Sequence, residues 1–438
     1  MQETITYIIE FLLHGNKHLI SEVGYTNDVN QFHRYRVVII PSHFFDDSVY
    51  GTVQSMPQLP LGNIEHTPLL FGKPLLRKEG NTLLIEADII ASSYFLLSRY
   101  EEMLNPKTLR DEHGRFIGKK SLPYQAGFID RPIVDEYGQL LRGWLREQGC
   151  DVTEPEAKYN NIFLTHDVDS IAHFRHLRGT IGGFIRGILH KGCAIKIVLK
   201  SLLSLENDPA YTFPWIYRRD KHVQSAIPIY FIKATKHVKG LDYPGYKLNG
   251  KDFTRFVKHT LNNCPNAQFG LHASYQSGYH PDLIAKEQNR LQKVFPKQTI
   301  TRARHHYLHA LQPEDMMYLI KAGITDDYTM GYADIAGFRL GTCRAVQFVN
   351  PHTKELTSLT IHPLTMMDCT LSNNNYMNLS YDEAFSYACQ LIDTTKKYHG
   401  DVCLLWHNTI VDNQGINKNS YHKRLYSNII NYLQNSIE

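Results

Sequence analysis

The stretch NNIFLTHDVD, residues 160–169, is the part of the sequence that most clearly indicates a fold. Its apolar centre, residues 162–164, predicts a buried β-strand, and the strand ends abruptly in the side chains of His166, Asp167 and Asp169. Carboxylates and imidazoles are oxygen and nitrogen ligands for a divalent metal ion. The stretch therefore predicts a strand that delivers reactive groups to a site at its end.

Three later segments repeat this arrangement of a short apolar run and a histidine. FGLHASY at 269–275 contains His272, RHHYL at 304–308 places two imidazoles beside a guanidinium, and VCLLWHN at 402–408 contains His407. Side chains at the ends of parallel strands meet at one edge of a sheet or barrel. An isolated Asp-x-Asp is usually a turn or a helix cap. The prediction of a site therefore rests on the occurrence of all four clusters in this order.

Strand-like and helix-like segments alternate after residue 160. This alternation indicates an α/β fold with a parallel sheet, built as an incomplete or distorted (β/α) barrel. Reactive residues of such a barrel cluster where the strands end, as the four segments above require. The candidate strands are 161–165, 228–233, 268–272, 299–304, 323–326 and 402–406.

The first 150 residues lack this alternation and contain no catalytic cluster. Strand-like runs at 35–40 and 83–85, with a helix-like segment from Asp88, predict a smaller α+β accessory domain over 1–150. The polar segment 147–156, punctuated by Gly and Pro, marks the boundary. The barrel is then expected over 155–438, with a basic helical insertion at about 170–210.

The charge of the chain is unevenly distributed. The net charge is +4, yet no acidic residue lies between Asp169 and Glu206. The helical pattern of that stretch predicts a solvated basic face on the barrel, and the alternative is contact with anionic lipid. No recognition motif for nucleic acid accompanies the charge, so nucleic acid is not an expected partner. The basic residues are Arg175, Arg178, Arg186, Lys191, Lys196 and Lys200.

Features of secretion, membrane spanning and nucleotide binding are not found in the sequence. The N-terminus lacks the basic region of a signal peptide, and no apolar run approaches the roughly 18 residues of a membrane span. Seven cysteines, without a C-x-x-C pair, fit a reducing compartment. We expect a cytoplasmic protein, with the inner membrane surface as the alternative location. Neither G-x-G-x-x-G nor a P-loop is present, so nucleotide-dependent chemistry is not expected.

In order and character, the clusters resemble the motifs of the polysaccharide deacetylase superfamily, the NodB-homology or carbohydrate esterase family 4 enzymes, over about 155–438. The family's T-F-D-D appears as THDVD at 165–169, its R-x-P-Y as RHHY at 304–307, and its L-x-H strand as LLWHN at 404–408. Segments around 88–102 and 127–132 are similar to an N-terminal domain of unknown function that accompanies such modules in bacterial surface-polysaccharide gene neighbourhoods. The resemblance implies that the protein is a metal-dependent hydrolase with a distorted barrel fold.

The resemblance also implies a role for each residue. Asp167 would be the general base and Asp169 a metal ligand, although the residue inserted between them leaves these two roles exchangeable. His272 would be a second ligand, Arg304 the active-site arginine, and His407 the acid that protonates the leaving amine. The implied substrate contacts are Ser274, Tyr307 and Trp406.

One ligand of the family is missing at its usual place. The second motif, H-S/T-x-x-H, normally ends in a histidine, but position 276 is Gln276. His306, which stands where the family has proline, would restore the ligand, and His280 and His166 are further candidates. In the fourth region, 326–342, the resemblance implies that Asp326 and Asp327 orient the arginine.

These interpretations lead to a first hypothesis and two alternatives. The first is a deacetylase that removes an acetyl group from a cell-surface polysaccharide or its precursor by metal-assisted attack of water, with zinc as the expected ion. Gln276 favours the second, a non-catalytic glycan-binding or scaffold protein on a decayed deacetylase barrel. The third is an amidase with a non-sugar substrate. The sequence does not determine the sugar, the acyl group or the oligomeric state.

Overall fold

The computed structural model describes residues 1–104, 107–189, 193–236, 238–411 and 420–437. The first 150 residues contain the strands β1 (Val23–Tyr25), β2 (Val37–Ile39), β3 (Gly62–Ile64), β4 (Thr67–Leu69), β5 (Gly72–Glu79) and β6 (Thr82–Ala87). Their helices are α1 (Gln2–Leu13), α2 (Ile89–Leu97), α3 (Tyr100–Leu104), α4 (Leu122–Gln125) and α5 (Ile133–Glu147).

A mixed sheet organises this N-terminal part, in the order β1-β2-β6-β5. The first three strands are parallel, β5 is antiparallel to β6, and β3 and β4 form a separate hairpin. Helix α2 begins after Asp88 because the Asp88 carboxylate accepts a hydrogen bond from the Ala91 backbone N–H, the usual role of an N-cap. Strands and helices are mixed in this part without regular alternation.

The remaining residues form one large sheet with helices around it. Its strands are β7 (Asn161–Val168), β8 (Ile227–Lys233), β9 (Gln268–Ala273), β10 (Arg302–His305), β11 (Asp326–Asp327), β12 (Val346–Asn350), β13 (Glu355–Ile361), β14 (Met366–Met367) and β15 (Asp401–Leu405). The helices are α6 (Leu177–Leu189), α7 (Cys193–Leu203), α8 (Phe213–Asp220), α9 (Lys251–Asn263), α10 (Leu283–Val294), α11 (Met316–Lys321), α12 (Asp368–Ser372), α13 (Tyr381–Lys397) and α14 (Ser420–Ile437).

The strand order of this sheet is β12-β13-β11-β10-β9-β8-β7-β15-β14. All neighbours are parallel except β12, which pairs antiparallel with β13 at one edge. Each of the six predicted strands overlaps an observed one. Strands β12, β13 and β14 were not predicted, because they interrupt the regular alternation of strand and helix that the prediction used.

The sheet is a curled half-barrel, so the predicted barrel is only partly correct. Within the described residues, the edge strands β12 and β14 do not pair with each other. Residues 362–365 cross the opening instead, with backbone hydrogen bonds from Leu364 to Met330 and from Thr365 to Cys403. Pro363 in this segment has no N–H to donate to a strand partner, so the crossing is irregular.

Strand β7 shows how the curled sheet separates its two faces. Side chains alternate along a strand, so Phe163 and Asp167 point into the half-barrel, whereas Leu164 and His166 point toward the outer helices. The inner face contains a small apolar cluster in which the rings of Phe163 and Tyr328 lie 5.4 Å apart. This cluster fills the interior below the polar strand ends.

The N-terminal part packs directly against the half-barrel. One continuous apolar core includes side chains from both, and the Val134 N–H donates to the Gly341 carbonyl at 2.8 Å. The buried carboxylate of Glu102 accepts hydrogen bonds from Arg339 at 2.9 and 2.8 Å. Across the described part of the chain, no helix combines the length and apolar character that crossing a membrane needs.

Candidate active site

A cleft of about 570 Å³ opens at the carboxyl ends of the parallel strands. The carboxyl ends of neighbouring parallel strands share one edge of a sheet, which brings distant parts of the sequence together. The imidazole of His272, at the end of β9, is fully buried behind the cleft wall. The charged and imidazole side chains that line the cleft beside it include Asp167, Asp169, Lys233, His306 and His407.

Three of these side chains converge on one point. Asp169 Oδ1 lies 3.5 Å from His272 Nε2 and 3.2 Å from His306 Nε2. One ligand atom from each of the three residues lies within 4.8 Å of the others. Burial alone would raise the pKa of Asp169, but the nearby imidazoles of His306 and His272 hold it well below its usual range. Asp169 is therefore a carboxylate that faces two imidazoles.

In each of the two histidines, the hydrogen bond made by Nδ1 indicates the state of Nε2, the nitrogen that faces Asp169. His272 Nδ1 lies 3.0 Å from the Arg304 carbonyl oxygen, which can only accept, so Nδ1 carries the proton. His306 Nδ1 lies 3.1 Å from Asp242 Oδ1 in the same way. In the neutral rings, both Nε2 lone pairs then point at a carboxylate oxygen.

This convergence of acceptors fits a divalent cation. Among the described residues, Asp169 Oδ1 and His272 Nε2 are both buried and have no hydrogen-bond partner, which is costly unless a cation lies between them. One carboxylate oxygen and two imidazole nitrogens are ligands that zinc accepts. Histidines that bind metals usually donate their other N–H to a carbonyl or a carboxylate, as His272 and His306 do here.

Asp167 is held beside this cluster by a buried arginine. Arg304 Nη1 donates to Asp167 Oδ1 at 3.1 Å and to Thr165 Oγ1 at 2.6 Å, and Arg304 Nε donates to the Tyr328 carbonyl at 3.0 Å. The other oxygen, Asp167 Oδ2, lies 3.5 Å from His272 Nε2. One oxygen of Asp167 is thus fixed, and the other is available on the side of the cleft.

His407 lies near both Asp167 and Asp169 and is held by Asp368. Asp368 Oδ1 is 2.8 Å from His407 Nδ1, and Asp368 Oδ2 accepts the His407 backbone N–H at 2.6 Å. Burial would lower the pKa of His407, but the Asp368 charge and hydrogen bond raise it well above its ordinary value. His407 Nε2 is 4.0 Å from both Asp167 Oδ2 and Asp169 Oδ2. It is therefore placed to hold a proton near both carboxylates.

A second group of possible ligands contains Asp368, Cys369 and His407. Burial raises the pKa of the Cys369 thiol to about 11, so the thiolate that a metal would need is disfavoured. The hydrogen bonds between Asp368 and His407 already satisfy both carboxylate oxygens. This group is better suited to keeping His407 protonated than to holding an ion.

The candidates for the missing ligand lie in different places. The structure brings His306 next to Asp169, whereas His166 Nε2 lies 2.9 Å from Asp220 Oδ2 on the outer face of the sheet. His280 is exposed to solvent. The backbone N–H of Gln276 donates to Asp242 Oδ2 at 3.3 Å, so this turn supports the carboxylate that orients His306.

The predicted substrate contacts are only partly at the cleft. Tyr307 lines it. Trp406 does not: strand alternation turns its ring to the outer face, where it is fully buried against Tyr426 at 4.9 Å. Ser274 is also buried, and its hydroxyl caps the short turn that follows by accepting the Ser277 N–H. The structure therefore corrects the assignments of Trp406 and Ser274 as cleft residues.

The two carboxylates predicted to orient the arginine have other partners. Asp326 lies 3.0 Å from His362 Nε2, and Asp327 accepts hydrogen bonds from the Thr329 hydroxyl and backbone N–H. Burial raises the pKa of Asp327 to about 6. Within the described contacts, neither carboxylate hydrogen-bonds to Arg304; Asp167 does.

Four residues of the site were missed by sequence reasoning. Lys233 ends β8 with Nζ 3.8 Å from Asp169 Oδ1, and its position at a strand end was an available signal. Asp368 directly follows the two-residue strand β14, which is too short to recognise. Asp242 and Arg115 lie outside the predicted strand ends, and Arg115 comes from the N-terminal part of the chain.

Comparison with known proteins gives distant matches. A family model of unknown function, DUF7033, matches residues 1–150, and no curated protein matches the sequence. The chain is similar to a crystal structure from Mycobacterium smegmatis assigned as a polysaccharide deacetylase, with 10% identity and a TM-score of 0.40 over 65% of this chain and 86% of the other. Another is from Bordetella bronchiseptica, assigned as a polysaccharide deacetylase involved in O-antigen biosynthesis, with 14% identity and a TM-score of 0.31 over 66% and 86%.

Proposed function

We propose that this protein is a metal-dependent hydrolase that removes an acetyl group from a carbohydrate. The observation that carries the proposal is the convergence of Asp169 Oδ1, His272 Nε2 and His306 Nε2, which lie within 4.8 Å of one another. The first two of these atoms are buried and have no hydrogen-bond partner among the described residues. Asp167 and His407 lie beside this point, where a base and an acid are needed. Zinc is the ion we propose, with Asp169, His272 and His306 as its protein ligands.

The two catalytic groups divide the proton transfers between them. When bound, a divalent ion polarises the acetyl carbonyl and makes water more acidic. The free oxygen of Asp167 takes a proton from the attacking water, while Arg304 holds the other oxygen and fixes the orientation of the carboxylate. We thus assign Asp167 as the general base and Arg304 as the residue that positions it.

His407 completes the reaction by protonating the leaving group. An amine leaves readily only as the neutral molecule, so a proton must reach its nitrogen as the C–N bond breaks. The Asp368 carboxylate keeps His407 protonated, because it raises the pKa of the imidazole. The products are acetic acid and the free amine, or the free alcohol for an O-acetyl substrate.

The cleft wall supports a sugar as the substrate. Tyr243, Tyr307 and Tyr376 line the cleft, and the first two side chains are partly exposed. Tyrosine rings offer a flat apolar surface with a hydroxyl that hydrogen-bonds, which suits the faces and hydroxyls of a pyranose. The tyrosines therefore favour a carbohydrate substrate over an amide substrate that has no sugar ring.

Metal content tests the proposal first. We expect about one divalent ion per chain in protein purified without a histidine tag, and loss of the ion in His272→Ala and His306→Ala. His280→Ala is the matched control, because His280 is exposed and outside the cluster. Elemental analysis of the four proteins decides. A wild-type chain that stays free of metal after incubation with divalent ions would support the glycan-binding alternative.

Acetate release from a panel of N- and O-acetylated oligosaccharides tests the catalytic step. We expect Asp167→Asn to retain its metal and to lose turnover, because an amide accepts no proton from water. Wild-type turnover by Asp167→Asn would refute the assignment of the base. Release of acetate from simple amides alone would favour the amidase alternative.

A further inference from the structure

The helices α6 and α7 form a hairpin with an unusually apolar exposed surface. Along α6, Leu177, Ile181, Ile185 and Ile188 are exposed at spacings of four, four and three residues, which places them on one face. Leu177 is 78% exposed and Ile188 is 72% exposed. On α7, Leu199, Leu202 and Leu203 are exposed too, with Leu203 at 86%. The hairpin therefore presents a row of large aliphatic side chains to solvent.

The side of the hairpin opposite the exposed aliphatic row is packed against buried side chains. Val198 of α7 is fully buried, and Phe174 before α6 is nearly so. A Cβ built on Gly183 would come within 3 Å of both side chains, so the helices pack closely there. The exposed aliphatic row is consequently the outer face of a packed element.

Basic side chains flank the aliphatic row. Arg178, Lys196 and Lys200 are exposed, and no acidic residue lies between Asp169 and Glu206. Arg175 differs, because it is 2.9 Å from Asp252. Lys191 and the side chain of Arg186 lie outside the described residues. The described face thus combines exposed aliphatic groups with cations that have no acidic neighbours within the hairpin.

We propose that this hairpin, helices α6 (177–189) and α7 (193–203), docks on an anionic lipid bilayer. An interfacial helix inserts aliphatic side chains between lipid headgroups while its cations contact the negative surface, and this hairpin exposes side chains of both kinds. Charge complementarity favours lipid over a second copy of the chain, because two copies would place their basic residues against each other.

Docking would bring the cleft to the membrane surface. His173, just before α6, lines the cleft, and the His176 ring lies 5.7 Å from the ring of Tyr243, another lining residue. The guanidinium of Arg178 lies 5.8 Å from the centre of the Tyr243 ring. The hairpin therefore adjoins one wall of the cleft. Resting on the proposed function, this geometry points to a saccharide attached to a membrane lipid as the substrate.

Vesicle flotation of the full chain tests the docking. We expect binding to vesicles of phosphatidylcholine mixed with phosphatidylglycerol, little binding to phosphatidylcholine alone, and weaker binding at high salt. Ile181→Asp with Ile188→Asp should weaken binding about tenfold or more, and Lys196→Glu with Lys200→Glu similarly. The matched controls exchange exposed residues elsewhere: Val53→Asp with Leu75→Asp, and Lys73→Glu with Lys78→Glu.

Three outcomes would overturn the docking proposal. Equal and negligible flotation with both vesicle types is the first. The second is vesicle binding that falls equally in the hairpin variants and in their controls. The third is a wild-type dimer in light scattering that Ile181→Asp with Ile188→Asp dissociates, without any vesicle binding, because the face would then belong to a second copy.

The docking test is separate from catalysis. Asp167→Asn should float with vesicles as the wild type does, because Asp167 lies in the cleft and not on the hairpin. With an N-acetylated oligosaccharide in solution and the same sugar attached to a vesicle lipid, Ile181→Asp with Ile188→Asp should lose activity only on the second. If the wild type floats with vesicles but releases acetate from neither substrate, the docking proposal stands and the proposed function is refuted.

Discussion

At the residue scale, the His407–Asp368 pair gives the clearest dependence on pH. Asp368 raises the pKa of His407, so the acid form persists at high pH and activity falls only when pH rises through that raised pKa. In Asp368→Asn the charge is lost while burial still lowers the pKa, so the alkaline limb of the profile of kcat/KM should move to lower pH. The measurement is the pH dependence of acetate release.

A second His–Asp contact provides the control for this prediction. His362 Nε2 lies 3.0 Å from Asp326 Oδ1, and neither residue lines the cleft. Asp326→Asn should therefore leave the alkaline limb where it is in the wild type. An unchanged limb in Asp368→Asn would mean that His407 is not the acid whose ionisation limits the rate.

The predicted site residues that lie together are those in which a reactive side chain follows a recognisable strand. Asp167, Asp169, His272 and His407 all come to one place because their strands lie close together in one parallel sheet, in the order β9-β8-β7-β15. Trp406 shows the opposite case. It precedes His407 directly, yet the alternation of a strand turns its ring to the outer face.

At the element scale, the turn after β10 depends on the N-terminal part of the chain. Tyr307 and Leu308 have φ angles of 62° and 53°, which are costly for large side chains. The guanidinium of Arg115 donates to the Tyr307 carbonyl at 2.9 Å and is itself held by Asp111 at 2.7 Å. Arg115 therefore fixes the turn that carries His306.

Loss of this contact should weaken metal binding without unfolding the protein. In Arg115→Ala we expect metal affinity to fall about 10- to 100-fold, the usual effect of removing support from a ligand, with Arg115→Lys in between. Metal titration is the measurement, and far-ultraviolet circular dichroism monitors the fold. Arg131→Ala is the control, because Arg131 pairs with Glu136 outside the cleft. Equal affinity in Arg115→Ala and the wild type would contradict this positioning role.

At the scale of the whole molecule, the N-terminal part and the half-barrel should unfold together. Glu102 of α3 bonds Arg99 and Arg339, and all three side chains are buried. Removing a buried carboxylate leaves unpaired charges, so Glu102→Gln should lower the free energy of unfolding by about 3 to 5 kcal/mol. Both parts should show the loss, because they share one apolar core.

Urea denaturation measures this cooperativity. Tryptophan fluorescence and circular dichroism should report the same single transition in the wild type and in Glu102→Gln. Glu79→Gln, at an exposed carboxylate, should be close to the wild type. Two separate transitions in the wild type, with only one shifted by Glu102→Gln, would show that the parts are independent. The domain boundary near residue 150 is a prediction that this experiment also tests.

The local features of this protein follow from its amino-acid sequence alone. Apolar runs of strand length, ending in Asp167, His272, Arg304 and His407, were enough to predict a parallel α/β sheet and a site at its strand ends, because such patterns reflect short-range preferences. Which of His306, His280 and His166 lies beside Asp169 is set by the three-dimensional fold. The fold also determines that Asp242, Asp368 and Arg115 support the site, and that an irregular segment crosses the opening of a curled sheet. Those outcomes depend on contacts between residues far apart in the chain, and such contacts leave no local pattern to read.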